Sequence, residues 1–227
     1  MNNHQVIEET SGLNLFYAKV YGIFGLGIGI SALAAYLSMN IFMTQTLNFL
    51  SRFPLGLTGI WLVEIGLVIL LSAKAQKNPS LTLAGFIVYS LLNGLVLSLT
   101  LSFYTQATVG RAFVSAMVTF IGMSIYGVFT KRDLTGIGRA GIGLLWGVII
   151  ATLINLFLQS SGVDYFLSYA TVLIFVGLTA YDNQQIRNMY FATVGQDNLG
   201  IAAFMALQLY LDFINLFLSL LRIFSRD

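Results

Sequence analysis

The sequence predicts an all-α membrane protein, and its composition and its hydropathy pattern both support this class. Of the 227 residues, 57% are hydrophobic and only 9% are charged, whereas about 25% of the residues of a typical soluble domain are charged. Seven apolar runs of about 19 to 26 residues follow one another along the chain, and each is long enough to cross a hydrocarbon core roughly 30 Å thick. Short polar intervals separate the runs and hold most of the charge.

The seven runs define the predicted transmembrane helices. They cover approximately residues 17–38, 55–73, 80–104, 109–130, 137–158, 163–182 and 199–224. None shows the alternation of apolar and polar residues over about ten positions that is typical of a barrel strand. We therefore expect residues 1–16 to form a short soluble N-terminal tail and residues 17–227 to form one transmembrane domain. The tail contains no Lys or Arg, so we do not expect a cleaved signal peptide.

The basic residues predict the orientation of the chain, because cytoplasmic loops of membrane proteins carry more Lys and Arg. With seven crossings, seven of the 11 basic residues lie on the side of the N-terminus and four on the other side. The seven are Lys19, Lys74, Lys77, Lys131, Arg132, Arg139 and Arg187; the four are Arg52, Arg111, Arg222 and Arg226. We therefore predict a cytoplasmic N-terminus and an external C-terminus.

The residue types that are missing exclude several functions. The chain has no cysteine, and its one histidine, His4, lies in the polar tail; thiol catalysis and thiolate metal sites are therefore excluded. No H-E-x-x-H or Gly-x-Gly-Asp pattern of an intramembrane protease occurs, and the last run has no lysine to hold retinal. Lys and Arg are too few and too scattered for a nucleic-acid partner. We expect a protein that is not an enzyme and has no bound cofactor.

Run seven carries one polar stripe on an otherwise apolar helix. Spacings of 4, 3, 4 and 3 place five side chains within about 80° of the helix circumference, over roughly 21 Å of its length. The five are Gln208, Asp212, Asn215, Ser219 and Arg222. Polar side chains on a lipid-embedded helix usually face the bundle interior or a water-filled cavity. The stripe therefore indicates a pore lining, with a hydrogen-bonded seam between helices as the alternative.

Two further carboxyl groups lie in other runs. Glu64, near the middle of run two, must be protonated or paired, and Arg222 is the arginine best placed as its partner. The pair would be either a gate element or a static ion pair that fixes helix register. Asp182 ends run six, and by periodicity alone it is a carboxylate at the membrane boundary. It shares a helix face with Ser168, Thr171 and Thr179.

Other polar and small residues predict contacts between helices. Polar side chains share one face in run three and another in run four, and we interpret both faces as hydrogen-bonded seams. The residues are Tyr89, Asn93 and Thr100 in run three, and Ser115, Thr119 and Tyr126 in run four. The pairs Gly25–Gly29 and Gly143–Gly147 have the small-xxx-small spacing, which predicts close approach of helices at these points.

The sequence resembles a known family at several points. Residues 209–224 (LYLDFINLFLSLLRIF) resemble the closing helix of the transmembrane Bax inhibitor motif family, and Tyr181-Asp182-x-x-x-Ile186 resembles the end of its sixth helix. Glu64 in the second helix, the chain length and the seven runs also agree. The resemblance covers nearly the whole chain, and the bacterial members of the family are inner-membrane proteins.

The resemblance implies a fold whose last helix is central and wrapped by the other six. It also implies a pH-sensitive calcium (cation) leak in a bacterial inner membrane, with the lipid bilayer, Ca²⁺ and protons as its partners. Asp182 and Asp212 would share a proton as the pH sensor and would form a possible Ca²⁺ site. Glu64 and Arg222 would be the buried ion pair. A proton-coupled transporter and a non-transporting regulator that binds other membrane proteins are the alternative functions.

The chain departs from the family pattern at the end of helix two. Well-studied bacterial relatives have an arginine there that latches onto the aspartate pair, whereas this chain has Ala75 at that position and Lys74 before it. Lys74 could substitute, although a lysine cannot make a bidentate contact.

The predicted helix boundaries also separate the two aspartates. Asp212 lies about 13 residues, or roughly 20 Å, inside run seven, whereas Asp182 ends run six. The two can meet if helix six extends past residue 182 or if helix seven starts later than residue 199. A water-filled cytoplasmic vestibule would also help.

Overall fold

The computed structural model describes residues 3–53, 55–193 and 198–226, and every regular element in these ranges is an α-helix. In chain order the helices are α1 (Asn3–Asn40), α2 (Met43–Arg52), α3 (Gly56–Lys74), α4 (Pro79–Leu101), α5 (Gln106–Phe129), α6 (Thr135–Leu158), α7 (Ser161–Ala192) and α8 (Leu199–Phe224). All except α2 are long and apolar enough to cross a membrane. The prediction of an all-α protein with seven transmembrane helices is confirmed.

The polar intervals between the runs supply the residues that begin the helices. At α4, the side chain of Asn78 accepts a hydrogen bond from the N–H of Leu81 at 3.1 Å, and Pro79 lies in the first turn, where its missing N–H costs little. At α5, the hydroxyl of Thr105 accepts a hydrogen bond from the N–H of Thr108 at 3.2 Å. Short-range capping therefore sets these two boundaries.

The chain divides into two compact units, and the first comprises Met1–Phe103 and Met189–Leu207. Within it, α1 packs along α4, and α4 also contacts α3. Small residues allow the close approach of α1 and α4. The hydroxyl of Ser31 donates to the carbonyl of Ser90 at 2.7 Å, and a Cβ placed on Gly94 would lie 2.6 Å from the carbonyl oxygen of Ser31.

Helix α2 is a short element that the hydropathy pattern did not predict. It joins α1 to α3 and has no buried residue, and its ten residues are too few to cross a bilayer. Its sequence, MTQTLNFLSR, places most apolar residues on one face of the helix and most polar residues on the other, as is typical of helices that lie in the membrane interface. A search for long apolar runs overlooks such a helix because it is short and half polar.

The second unit comprises Tyr104–Asn188 and Gln208–Asp227, and in it both α5 and α6 pack closely on α7. Gly127 of α5 lies directly against the backbone carbonyl of Ala180 on α7, and Gly138 of α6 lies against the ring of Tyr181. A side chain at either glycine would collide with these groups. This part of α7, immediately before Asp182, is therefore in backbone contact with α5 and in side-chain contact with α6.

Helix α8 is the most buried of the spanning helices. In its most apolar stretch 72% of the residues are buried, against 39% or less in every other span. Within the second unit, the ring of Phe213 makes edge-to-face contacts with Phe113 and Phe120 of α5, each at a centroid distance of 5.7 Å. The wrapping of the last helix by the other six stays a prediction.

Two predicted boundaries differ from the structure by ten residues or more. Helix α7 continues to Ala192, ten residues beyond the predicted end at 182, because hydropathy marks a change in polarity and not the end of the helix. For the same reason α1 begins at Asn3, and its apolar span at Ser11. Residues 3–16 are therefore helical. Their location in water stays a prediction, and residues 1 and 2 lie outside the described ranges.

The prediction of close helix approach at Gly25–Gly29 and at Gly143–Gly147 is wrong. A Cβ on any of these four glycines would meet no described atom within 4 Å. Close approach occurs at single glycines such as Gly94 and Gly127 instead. The spacing of two glycines shows that they share a helix face, but it does not show which face meets a neighbour.

Candidate functional site

The structure brings Asp182 of α7 and Asp212 of α8 into direct contact. Their carboxyl groups are hydrogen-bonded to each other. Both side chains are buried, with 8% of Asp182 and 3% of Asp212 exposed. The two residues that the family resemblance pairs therefore form one buried carboxyl pair in the second unit.

The extension of α7 explains how the two aspartates meet. Asp182 lies ten residues before the end of α7, and Asp212 lies 13 residues after the start of α8. Asp182 is therefore about 15 Å of helical rise from the end of α7, and Asp212 is about 20 Å from the start of α8. The two aspartates thus lie at similar distances from the segment that connects the helices. Of the routes considered from the sequence, an extended helix six is the one observed, and α8 begins at Leu199 as predicted.

The hydrogen bond between the carboxyl groups determines what the pair can do chemically. It requires at least one proton, because an ionised carboxylate only accepts hydrogen bonds. The Oδ2 atom of Asp212 is buried and accepts no hydrogen bond from the described residues. A buried carboxylate oxygen without a donor is costly when it is charged. The arrangement therefore suits a group that binds and releases a proton.

The pair alone is a poor resident metal site. The described residues contain no group of three or more His, Cys, Asp and Glu that could hold a metal ion. Ca²⁺ takes about 6–8 oxygen ligands, and two carboxylates supply at most four oxygen atoms. A Ca²⁺ ion at Asp182 and Asp212 would complete its shell with water or neutral oxygens, which suits a passing ion better than a bound one.

Asn183 is a polar residue of this site that the sequence analysis did not identify. It is completely buried, and its amide donates to the hydroxyl of Ser124 on α5 at 3.0 Å and to the carbonyl of Thr179 at 2.7 Å. It follows Asp182 and lies beyond the predicted end of run six. The sequence feature that could have indicated Asn183 is the run of polar residues after Asp182, which the hydropathy pattern placed in a loop.

Gln184 is the second residue that the sequence analysis missed. Its Nε2 donates to the carbonyl of Arg132 at 2.8 Å, and its Oε1 accepts from the N–H of Leu134 at 2.9 Å. Both partners belong to the loop between α5 and α6. One side chain therefore fixes two peptide groups of that loop.

The hydroxyl groups that share a helix face with Asp182 donate hydrogen bonds to carbonyl groups of α7 itself. Ser168, Thr171 and Thr179 each donate to the carbonyl four residues earlier, at 2.8, 2.7 and 2.7 Å. Their donors are therefore used within the helix.

The predicted stripe on α8 varies in burial along its length. Asp212 and Ser219 are buried, Gln208 and Asn215 are half-buried, and Arg222 is exposed. The amide of Asn215 donates to the carbonyl of Leu211 at 2.8 Å, so one of its donors is used within the helix. The pore-lining role of Gln208, Asn215 and Ser219 stays a prediction.

Glu64 lies in the first unit and has a neutral partner there. It is 7% exposed, and its Oε1 accepts a hydrogen bond from the amide of Asn93 on α4 at 3.2 Å. Asn93 therefore bridges α3 and α4, as its assignment to a seam predicted. The ion pair between Glu64 and Arg222 stays a prediction.

A double-mutant cycle tests that predicted ion pair. If Glu64 and Arg222 pair, Glu64→Gln and Arg222→Met should each lower stability in detergent, because either change leaves the other charge without its partner. The double variant should then be more stable than the sum of the two losses predicts, by about 1 kcal/mol or more. Thermal unfolding of the four proteins measures this difference. Additive losses would show that the two residues do not interact.

Residue 75, where the family resemblance expects the latch arginine, is buried in this structure. Ala75 is 3% exposed, and its carbonyl lies directly against Gly200 at the start of α8. Lys74 is exposed. Residue 75 is therefore a buried alanine whose backbone contacts the start of α8, and the substitution of the latch by Lys74 stays a prediction.

Comparison with known proteins gives matches over almost the full length. The family model described as "Inhibitor of apoptosis-promoting Bax1" matches residues 13–227. An uncharacterized membrane protein of Streptococcus pyogenes serotype M1 is 46% identical over 228 residues, which cover 100% of both chains. The inner membrane protein YbhL of Escherichia coli strain K12 is 39% identical over 97% of this chain and 95% of its own. An uncharacterized protein of Borreliella burgdorferi is 42% identical over 92% of this chain and 90% of its own.

Proposed function

Because this chain belongs to the Bax inhibitor-1 family of membrane proteins, we propose that it is a pH-sensitive leak for Ca²⁺ and that Asp182 and Asp212 gate it. The observation that supports this proposal is the buried, hydrogen-bonded carboxyl pair, in which Oδ2 of Asp212 accepts no hydrogen bond from the described residues. The proposed activity is transport without catalysis or a bound cofactor. Ca²⁺ is the transported ion, and protons regulate it.

In the closed state the pair holds one proton. The hydrogen bond then joins α7 to α8 in apolar surroundings, since Phe213 follows Asp212 directly and packs on Phe113 and Phe120. The proton belongs to the pair as a whole, so its loss is one event shared by both residues. Acidic conditions favour the protonated pair and therefore the closed state.

Loss of the proton opens the leak. Two unit charges about 4 Å apart repel by about 4 kcal/mol at an effective dielectric constant near 20. This repulsion is comparable with the few kcal/mol that separate two conformations of a typical switch. It separates α7 from α8 at the level of Asp182 and Asp212. The freed carboxylate oxygens attract Ca²⁺, which prefers oxygen ligands, so Ca²⁺ flux rises with pH.

The test is Ca²⁺ entry into liposomes that contain only this protein. A Ca²⁺-sensitive dye inside the liposomes reports entry from about pH 6 to about pH 8, where a shared carboxyl proton can titrate. We expect little entry at the acidic end and increasing entry as the pH rises. Liposomes without protein control for passive leakage at each pH. Absence of Ca²⁺ entry at every pH would contradict the proposed function.

Two alternative functions give different results in the same liposomes. A non-transporting regulator that binds other membrane proteins gives no flux, and its cellular effect does not depend on the two carboxyl groups. A proton-coupled transporter moves protons together with its substrate, so a pH-sensitive dye inside the liposomes responds when a Ca²⁺ gradient is applied. A leak passes Ca²⁺ without such a coupled proton movement.

We propose the inner membrane as the location of this chain, with the N-terminus in the cytoplasm, since the relative YbhL is named as an inner membrane protein. The excess of seven basic residues over four supports this orientation. Reporter domains fused before residue 1 and after residue 227 should report the cytoplasmic and the external side, respectively. Reports from the same side for both fusions would contradict an odd number of crossings.

A further inference from the structure

Three consecutive residues of α7 contact three different neighbours. Asp182 is hydrogen-bonded to Asp212 of α8, Asn183 donates to Ser124 of α5, and Gln184 bonds to the loop between α5 and α6. Each residue lies about 100° further around the helix than the one before it, so the three side chains leave α7 in three directions. Within one turn, α7 is therefore held on three sides.

The α5–α6 loop, residues 130–134, is short and can extend little. It connects the end of α5 at Phe129 to the start of α6 at Thr135. Gln184 bonds to the carbonyl of Arg132 and to the N–H of Leu134. Leu134 is 2% exposed, and its own carbonyl accepts from the N–H of Gly138 in the first turn of α6. The contact of Gln184 therefore reaches α6 through Leu134.

From these contacts we infer that Gln184 is a positioning residue that transmits the state of the Asp182–Asp212 pair to the α5–α6 loop. The inference rests on the proposed function, in which loss of the shared proton displaces α7. Gln184 lies about 3 Å further along the same helix than Asp182 and about 200° around it. Helix α7 thus lies between the pair and the loop. When Asp182 moves away from α8, Gln184 moves with it, and the loop either follows or loses both hydrogen bonds.

Several other charged or titratable groups surround this part of α7. They are Asp212 on α8, Tyr181 and Arg187 on α7, Lys131, Arg132 and Asp133 in the loop, and Arg139 on α6, whereas α5 contributes the uncharged Ser124. Hydrogen bonds from the hydroxyl and the N–H of Thr135 hold the pKa of Asp133 below its ordinary value. Asp133 therefore stays ionised at neutral pH and is not the source of a pH response in the loop.

A spin label on the loop tests the inference. The chain has no cysteine, so Lys131→Cys provides a single labelling site on an exposed residue. In the otherwise wild-type protein, we expect the mobility of the label to rise over the pH range in which Ca²⁺ flux rises. With Gln184→Leu, the label should be mobile at every pH, and the pH response should be lost. With Asp212→Asn, the response should also be lost, but the label should stay restrained.

Two further variants make this experiment specific. Gln185→Leu is the matched control, because Gln185 is the next residue and forms hydrogen bonds with Tyr181 and, at 3.1 Å, with Asn188, both on its own helix. It should keep the wild-type pH response. Gln184→Glu retains an oxygen that can accept from Leu134 but loses the donor to Arg132, so it should retain part of the response. This variant also tests the inference if Gln184→Leu does not fold.

The two proposals fail in different ways. A label that responds to pH equally in the wild type and in Gln184→Leu overturns the role of Gln184, and so does a label that never responds in the wild type. Absence of Ca²⁺ flux at every pH overturns the proposed function instead. The label still reports the coupling in that case, because it reads the loop and not the ion.

Discussion

Asparagine in place of either Asp182 or Asp212 should abolish the pH dependence of Ca²⁺ entry. An asparagine amide has nearly the shape of a carboxyl group and donates a hydrogen bond at every pH. The contact between α7 and α8 therefore persists without a shared proton, and the remaining aspartate can ionise against the amide. We expect entry at about pH 8 to fall at least about tenfold, which corresponds to about 1.4 kcal/mol of bias towards the closed state.

The measurement is the pH profile of Ca²⁺ entry into liposomes that contain wild type, Asp182→Asn or Asp212→Asn. The matched control is Asp164→Asn, which makes the same change on an exposed residue in the first turn of α7 and should keep the wild-type profile. In the proposed mechanism, Ca²⁺ entry rises with pH in the wild type, because the hydrogen bond between the two carboxyl groups is present at low pH and is lost as the pH rises. Wild-type profiles in both variants would place the sensor elsewhere.

Valine in place of Gly127 should lower the stability of the protein in detergent by about 3 kcal/mol, the upper end of the usual cost of overpacking. The new side chain would collide with the backbone carbonyl of Ala180. A backbone group within a helix cannot rotate away as a flexible side chain can, so α5 and α7 must separate.

Gly122→Val is the matched control for this substitution. Gly122 lies on the same helix, is exposed, and has no described atom within 4 Å of an added Cβ. Both changes alter helix propensity equally, so the difference in their thermal unfolding isolates the contact with α7. Equal unfolding temperatures for the two variants would contradict the close approach of α5 to α7.

The sequence was sufficient to predict the number and type of helices because a membrane restricts the chain so strongly. Each spanning segment must be long and apolar, and every backbone group in it must be hydrogen-bonded internally. The same signal predicts helix ends poorly. Helix α7 continues for ten residues after residue 182, and α2 lies in a polar interval, because neither feature requires an apolar sequence.

The candidate site was predictable only in part, because a polar residue is noticeable in the sequence only where it interrupts an apolar run. Asp212 lies in an apolar run, so its polarity was conspicuous, and the family resemblance supplied Asp182 as its partner. Asn183 and Gln184 lie in a polar stretch, where one more amide carries no signal in a single sequence. Their importance comes from their contacts with Ser124, about 60 residues earlier, and with the α5–α6 loop. Contacts between residues so distant in the chain depend on how the helices pack.

The burial of α8 has a consequence for how the protein is made. This helix leaves the ribosome after the other six spans. Until it inserts, Phe113 and Phe120 lack the ring of Phe213, and Asp182 lacks the carboxyl group to which it is hydrogen-bonded. In a chain arrested before residue 199, the carboxyl group of Asp182 is therefore exposed inside the bilayer, and the rings of Phe113 and Phe120 lack the residue that packs on them. We expect such nascent chains to require an insertion chaperone and to be removed by membrane proteases, so that completion of the last helix limits how much protein accumulates.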